Sequence, residues 1–449
     1  MISIKRFDLA VIGAGAGGYV AAIHAAKSGL KVALVEKGKV GGACFNLGCI
    51  PSKIMIEHSK LVQKINQGKE WGINVPSIEL DFEKLSQRKD GIIEKLLENI
   101  HRYISNASIT YFTGIASVTE DHIVNVDNEQ FYANNIILAT GSKPFVPPFK
   151  GIETAKYHTT DTIFNITELP KQLTIIGGGV IAVELAFSLA PLGTKVTILN
   201  HSRDILQTEE PDARPIVRNR LLDLGVELVL DFEFKEIREN EVVTSRGNYQ
   251  YENLLFATGR RPNIKIAEEL NLEMNGKFIK VNEHFETSIP NIYAIGDIIG
   301  GYQLAHVASA EGIQAVEVIL GNNPIAIDNS TIPRCVYSTP EIATFGLLEN
   351  EVNPNDCIIT KLPLSNNPKA LMEGNKDGFI KFIASKETDE ILGACVVGDG
   401  ATEILNSMLA TKVAGGKATD LTKIIFPHPT KSEQIGDAAK AVYWRAINA

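Results

Sequence analysis

Two cysteines five residues apart, in Gly41-Gly-Ala-Cys44-Phe-Asn-Leu-Gly-Cys49-Ile-Pro-Ser-Lys53, carry the strongest chemical signal in this sequence. A thiol pair can exchange with an external disulfide, help hold a metal, or simply fill apolar space. Metal binding needs further ligands at close spacing, and Cys335, Cys357 and Cys395 are isolated. On an ideal helix the two Cα atoms would stand about 8.7 Å apart, beyond the roughly 7 Å that a disulfide spans. If the pair bonds, the helix is distorted there, and Gly48 eases the distortion. Far downstream, Phe426-Pro-His428-Pro-Thr-Lys-Ser-Glu433 sets an imidazole and a carboxylate five residues apart. An imidazole tuned by a carboxylate titrates near neutrality and can serve as a base. A His between two prolines can equally be a packed turn residue, but a reactive dithiol needs a base to form its thiolate.

The elements that must position these groups show up as an internal repeat. Phe7–Ile12 is an apolar, strand-like run followed by Gly13-x-Gly15-x-x-Gly18, a small-residue helix, and a second strand ending on Glu36. The same plan returns as Leu173–Ile176, Gly177-x-Gly179-x-x-Ala182, a helix through Leu189, and a strand over 195–199. Each is a strand–turn–helix–strand unit whose glycines allow close backbone approach and whose helix N-terminus faces a pyrophosphate. Glu36, 23 residues after Gly13, can accept hydrogen bonds from ribose hydroxyls; the same count from Gly177 reaches Asn200. Asn200, His201 and Arg203 tolerate or bind a ribose 2′-phosphate where a carboxylate would repel it, so NADP is favoured over NAD by a narrow margin. Two further strands stop on Ala-Thr-Gly, at Gly141 and Gly259. Pro-containing stretches at 143–151 and 260–263 read as stiff crossovers between units. Residues 81–104 have the spacing of a long amphipathic helix, and 331–449 form a last compact unit.

A length of 449 residues fits two to four domains. With 44 Lys and Arg against 53 Asp and Glu, the net charge of −9 argues against a nucleic-acid partner. Five cysteines are too few for a disulfide scaffold and suit a reducing, cytoplasmic setting. The start, Met1-Ile-Ser-Ile-Lys-Arg, has no leader pattern. The apolar stretch from Ala10 to Ala26 is broken by glycines and His24, a poor membrane span.

Taken together, the Cys-x4-Cys before Ile-Pro-Ser-Lys53, the two fingerprints, Ala-Ile-Gly-Asp297 and His-Pro-Thr-x-Ser-Glu433 resemble the pyridine nucleotide–disulfide oxidoreductases along essentially the whole chain. Within that family the pattern is similar to the dihydrolipoamide dehydrogenases. The resemblance implies an α/β fold with two Rossmann-like dinucleotide-binding domains plus a C-terminal α+β interface (dimerisation) domain. It divides the chain into an FAD-binding domain (1–143, completed by a central segment 263–330), an NAD(P)-binding domain (144–262) and the interface domain (331–449). FAD is implied at Gly13, Gly15, Gly18, Glu36 and Gly141. Gly296 and Asp297 would hold its ribityl and phosphate region, with Ala305 and His306 along the isoalloxazine. Lys53 and Glu184 match the pair behind the flavin at the nicotinamide pocket. NAD or NADP is implied at Gly177, Gly179, Ala182, Asn200, His201, Arg203, Gly259 and Arg260. The family further implies a redox-active Cys44–Cys49 disulfide with Cys44 as the exposed interchange sulfur. His428, oriented by Glu433, would serve the partner subunit's disulfide in a homodimer. A lipoyl-bearing acyltransferase of a 2-oxo acid dehydrogenase complex, or a glycine-cleavage carrier protein, is the implied partner. Phe426 departs from the pattern, standing where many lipoamide enzymes carry a further His. The alternatives are an NADPH-dependent reductase of another low-molecular-weight disulfide, for which Ala182 and Asn200–Arg203 speak, and a non-catalytic subunit of such a complex.

Overall fold

Short β-branched runs, buried on both faces, become parallel strands when helices cover them, and that is how the first repeat folds. The computed structural model describes residues 4–443; the start at Met1, read above for a leader pattern, and the last six residues lie outside the described residues. The strand Lys5–Ile12 pairs in parallel with Val32–Glu36 on one side and Glu129–Leu138 on the other, and Thr110–Thr113 extends the sheet. Glu129–Leu138 pairs antiparallel at its start with Ile123–Val126 and in parallel at its end with Ile292–Ala294. A strand from far downstream thus completes the first sheet. The second repeat builds its own parallel sheet from Gln172–Ile176, Lys195–Asn200, Glu227–Leu230, Asn253–Phe256 and the short His158–Thr159.

The two Pro-containing crossovers stay out of both sheets and pair with one another instead. Ser142–Pro144 and Arg260–Pro262 form a two-stranded antiparallel ribbon, Arg260 opposite Pro144. Arg261 lies over the Phe145 ring, 3.8 Å from its centroid, and stiffens the joint. After residue 331 the sheet is antiparallel, in the order 334–336, 341–346, 391–398, 379–385, 357–363. Its core includes Phe345, Phe382, Ile380 and Val396, closed by the helix Glu433–Ala441.

Two helices run from these cores to the chemistry. Phe82–Asn106 covers the stretch whose periodicity predicts a helix; Asp81 caps it by accepting from the Lys84 N–H, and Ile93, Ile100 and Ile104 face inward. Cys49–Gln67 buries Ile54, Met55, Ile56 and Val62, and each fully buried aliphatic side chain contributes about 1.5–3 kcal/mol. Its Ser59 hydroxyl donates to the Ser188 carbonyl of the second fingerprint helix, 2.5 Å away, so the first and second units share a packed seam.

Candidate active site

Both fingerprint turns are built from the same backbone bonds. The Gly13 N–H donates to the Val35 carbonyl at 2.8 Å, and the Gly177 N–H to that of Leu199 at 2.9 Å. Ala139 bonds Ile12, and Ala257 bonds Ile176, in the same relation. Gly13 (φ +105°) and Gly177 (φ +124°) both lie in the left-handed half of backbone space, and a Cβ on either would stand 2.3 Å from the carbonyl oxygen of Ala139 or Ala257. Gly15 and Gly179 precede the helices Ala16–Lys27 and Val180–Leu189 in extended conformation. Beyond their immediate chain neighbours, no atom lies within 4 Å of where their Cβ atoms would be, and the same holds for Gly141 and Gly259. Helix N-termini with open space above them fit a pyrophosphate in each cradle. Glu36 is turned into the first cradle, accepting from the Ala14 N–H at 2.7 Å and the Gly38 N–H at 2.8 Å. In the second cradle Asn200 is buried. Its amide donates to the Asp204 carbonyl at 2.9 Å and packs against Gly178, whereas His201 and Arg203 are exposed.

The cysteine segment breaks where the spacing requires it to. One short helix, Gly42–Asn46, carries Cys44; the next, Cys49–Gln67, opens on Cys49, with Leu47 and Gly48 outside both. The two side chains lie within hydrogen-bond reach of each other. A bond between them makes Cys44 the proton holder and pushes its pKa up, assisted by burial. Cys49 is lowered to about 7 by accepting it; Lys53 adds to the lowering, and crowding by protein atoms opposes it. In the chain itself Cys49 is exposed and Cys44 half-buried. On its short helix Cys44 lies within the electrostatic reach of Tyr19 and Asp297.

Behind the thiols, Lys53 Nζ meets Glu184 Oε2 at 2.8 Å, with Glu184 only 3 % exposed. The other oxygen of Glu184 accepts from the Tyr337 N–H, and Lys53 lies over the Tyr337 ring. This ties the first fingerprint unit, the second, and the C-terminal unit at one point. Cys335, two residues earlier on that strand, is half-buried in the same field; burial, Glu341 and Glu209 push its thiol up to about 11. Such a thiol is protonated and inert at neutral pH.

Asp297 and Arg260 meet through a residue that sequence inspection passes over. Ser142 donates from Oγ to Asp297 at 2.5 Å, while Arg260 donates to Ser142 Oγ and to its carbonyl at 2.8 Å each and pairs with Asp161 at 3.0 Å. Arg260 is therefore committed to the joint between the two dinucleotide units. Gly296, at φ +74°, is held by Glu311, whose Oε2 accepts its N–H at 2.6 Å; burial pushes the Glu311 carboxyl up to about 7. Ala305 and His306 open the helix Ala305–Ile319, and the His306 ring bonds the Pro333 carbonyl at 3.0 Å. Glu311, an acid directly before Gly312 among small and apolar residues of this helix, is the one sequence signal that could have been read.

His428 and Glu433 do form a pair, Nδ1 to Oε2 at 2.9 Å, and the imidazole side chain is 70 % exposed. Among the described residues nothing bonds its Nε2, and no hydrogen bond joins it to the chain's own Cys44 or Cys49. Glu433 also accepts from the Thr430 N–H, which fixes the carboxylate at the start of the last helix. No helix among the described residues is long and apolar enough to cross a membrane.

Two phosphate-type cradles, a dithiol between them and an imidazole–carboxylate pair define a dinucleotide-dependent thiol–disulfide oxidoreductase. Comparison with known proteins agrees: residues 7–312 match the pyridine nucleotide-disulphide oxidoreductase family and residues 332–439 its dimerisation domain. The chain belongs to this family of FAD-dependent enzymes. It is 38% identical to a dihydrolipoyl dehydrogenase of Geobacillus stearothermophilus (98% of this chain, 96% of that one) and 35% identical to one of Bacillus subtilis (99% of each). Among solved structures it is similar to the HOCl-induced flavoprotein disulfide reductase RclA from Escherichia coli, with a TM-score of 0.87 and 28% identity over 96% of this chain and 99% of that one.

Proposed function

We propose that this protein is a homodimeric dihydrolipoyl dehydrogenase that oxidises dihydrolipoyl groups and passes the electrons to NAD or NADP. The observation that carries the reading is the polarised thiol pair beside the Lys53–Glu184 ion pair, with both cradles intact around it. FAD is assigned to Gly13, Gly15, Gly18, Glu36, Gly141, Gly296 and Asp297. Bound FAD supplies the exchange between two-electron thiol chemistry and hydride transfer to the nicotinamide cofactor.

The chain's own residues account for the thiol steps. The partner's His428, held by its Glu433, takes a proton from one dihydrolipoyl thiol. The thiolate attacks the Cys44 sulfur of a Cys44–Cys49 disulfide, and Cys49 leaves as a thiolate. A low leaving-group pKa speeds exchange, and about 7 for Cys49 suits that role. The second lipoyl thiol then attacks the sulfur joined to Cys44, closing the lipoyl disulfide and returning its proton to Cys44. The outcome, a protonated Cys44 donating to a Cys49 thiolate, is the polarity of the pair described above. Lipoyl-bearing acyltransferases of 2-oxo acid dehydrogenase complexes and glycine-cleavage carrier proteins present such groups.

A second reading, an NADPH-dependent reductase of another small disulfide, draws on the exposed His201 and Arg203 and on Asn200 in place of an acid. One assay set separates the two: lipoamide or glutathione disulfide, each with NADH or NADPH. Lipoamide turnover tenfold or more above glutathione supports the first reading; the opposite order overturns it. Cys49→Ser is expected to abolish disulfide exchange while FAD stays bound, checked by the flavin absorbance of the purified variant. Unchanged lipoamide turnover in that variant sinks the assignment of the thiol pair.

A further inference from the structure

The most deeply buried lysine in the described chain, Lys381, lies at the centre of three carboxylates drawn from two different units. It is 1 % exposed, in the interface-domain strand Phe379–Ser385. Its Nζ meets Glu210 Oε1 at 2.7 Å and Asp212 Oδ2 at 2.8 Å, both from the second dinucleotide unit, and also Glu349 from its own unit. Glu210 is as buried as the lysine and uses its second oxygen to accept from the Glu349 N–H. Lys361, opposite Lys381 in the neighbouring strand, adds a second cation to Asp212 at 2.7 Å. Burial alone would pull the Lys381 ammonium down; the three carboxylates outweigh it and hold the pKa above the ordinary value, so the charge persists near neutrality.

These carboxylates end a loop that starts at the second cradle. After Asn200 the chain runs through His201 and Arg203 to Leu206, whose N–H donates to the Gly178 carbonyl at 2.8 Å inside the fingerprint turn. Ile205 and Leu206 are fully buried, and Asp204 is paired with Arg218 at 3.1 Å. Glu209 bonds back to Leu206, and the Arg214 side chain donates to the Gln207 and Glu209 carbonyls. Three residues, Gln207, Thr208 and Glu209, separate the Gly178 bond at Leu206 from the Lys381 contact at Glu210. One end of the loop is thus fixed to the phosphate turn, the other to the interface domain.

We propose that Lys381 is a positioning residue for the nicotinamide cofactor: by clamping Glu210 and Asp212 to the interface domain it holds the segment from Leu206 to Asp212, whose Leu206 N–H braces the Gly178 turn of the second cradle just after His201 and Arg203. The proposal rests on the reading of that cradle as the NAD(P) site. It touches neither the first cradle nor the thiol pair, so its effect is confined to one substrate.

The test uses the FAD-loaded enzyme. Lys381→Met removes the ammonium, Lys381→Gln with Glu210→Gln removes the central pair without leaving a bare charge in the buried interior, and Asp212→Asn takes away only an outer, partly exposed carboxylate. Readouts are FAD content, flavin reduction by dihydrolipoamide without nicotinamide cofactor, KM and kcat for NADH and NADPH, and the Kd of each nucleotide by fluorescence titration. Loosening of a positioning loop is expected to raise KM and Kd for the nucleotide about tenfold. FAD content, dithiol-driven flavin reduction and kcat should stay within about twofold of the parent, with Asp212→Asn showing a smaller rise in KM and Lys381→Arg restoring the parental value. An unchanged nucleotide KM and Kd overturns the proposal. So does a parallel fall in FAD content and dithiol reduction, which marks a purely structural ion cluster. Where the Met variant fails to fold, the double variant and Asp212→Asn carry the same test. Nucleotide Kd needs no dithiol turnover, so a parent enzyme inactive with lipoamide breaks the functional reading without touching this measurement. A parent enzyme that binds neither nucleotide breaks both.

Discussion

The two dinucleotide cradles share a backbone and differ in what fills it. In the first, Gly18 packs so tightly that a Cβ would stand 1.9 Å from the Gly13 carbonyl oxygen. In the second, the corresponding Ala182 carries a real Cβ, fully buried. The helix of the first cradle therefore lies against its turn, and that of the second stands away from it. The acid differs as well: Glu36 reaches the Ala14 N–H, while Asn200 turns inward to Asp204 and leaves His201 and Arg203 facing solvent. Each dinucleotide unit is also tied to elements from elsewhere in the chain: Gly296 is held by Glu311 of the helix Ala305–Ile319, and Glu210 of the second unit by Lys381 of the interface domain. A repeated strand–turn–helix thus builds the same turn twice, and the non-repeated side chains make the two cradles differ in packing and polarity.

The largest expected effect comes from erasing the first difference. Gly18→Ala forces a backbone oxygen and a methyl into one place, an overpacking whose cost starts at about 1–3 kcal/mol and rises where only backbone can yield. The variant should purify without flavin and with a lowered Tm; full FAD content at the parental Tm would show that the cradle tolerates a looser helix. Next is Glu311→Gln, which keeps an acceptor for Gly296 but removes the titration. A carboxyl raised to about 7 in the folded state stabilises most below its unfolded pKa and loses that contribution as pH rises toward 7. Between pH 5 and pH 8 the parent should lose up to about 3 kcal/mol relative to the variant, read as diverging Tm values. Parallel Tm curves would place no buried proton there.

Smaller effects belong to the second cradle. Arg203→Ala should lower kcat/KM with NADPH about tenfold, the scale of one charge-assisted hydrogen bond, and leave NADH unchanged. Equal changes with both coenzymes would make Arg203 an ordinary solvated side chain. Smallest of all is Ala182→Gly. It should cost no more than about 1 kcal/mol of helix propensity and leave nucleotide binding intact, because this helix has no need of the third glycine. A tightened nucleotide Kd in that variant would show instead that the methyl holds the cofactor off.

Much of the site was legible because its residues are local. Gly13 to Glu36, Cys44 to Cys49 and His428 to Glu433 each fall within one supersecondary unit, where spacing alone predicts who meets whom. Partners remote in sequence were not. Arg260 and Ser142 are 118 residues apart, Lys381 and Glu210 171. No periodicity marks Ser142, and Glu311 lies in a helix whose other signals concern small-residue packing. Asn200 shows the same limit from the other side: its position predicts a ribose contact, but a buried amide needs a partner, and Asp204 supplies it.

The order of amino acids determined which backbone turns could cradle a phosphate, which helix had to break between the thiols, and which imidazole had a carboxylate beside it, because torsional preference and short-range reach decide such matters within a few residues. Only the packing of distant segments decided that Arg260 serves a joint and that one buried ammonium ties the second dinucleotide unit to the last domain. Those outcomes depend on burial and on the local field of charges, and both exist only once the three units have closed on one another.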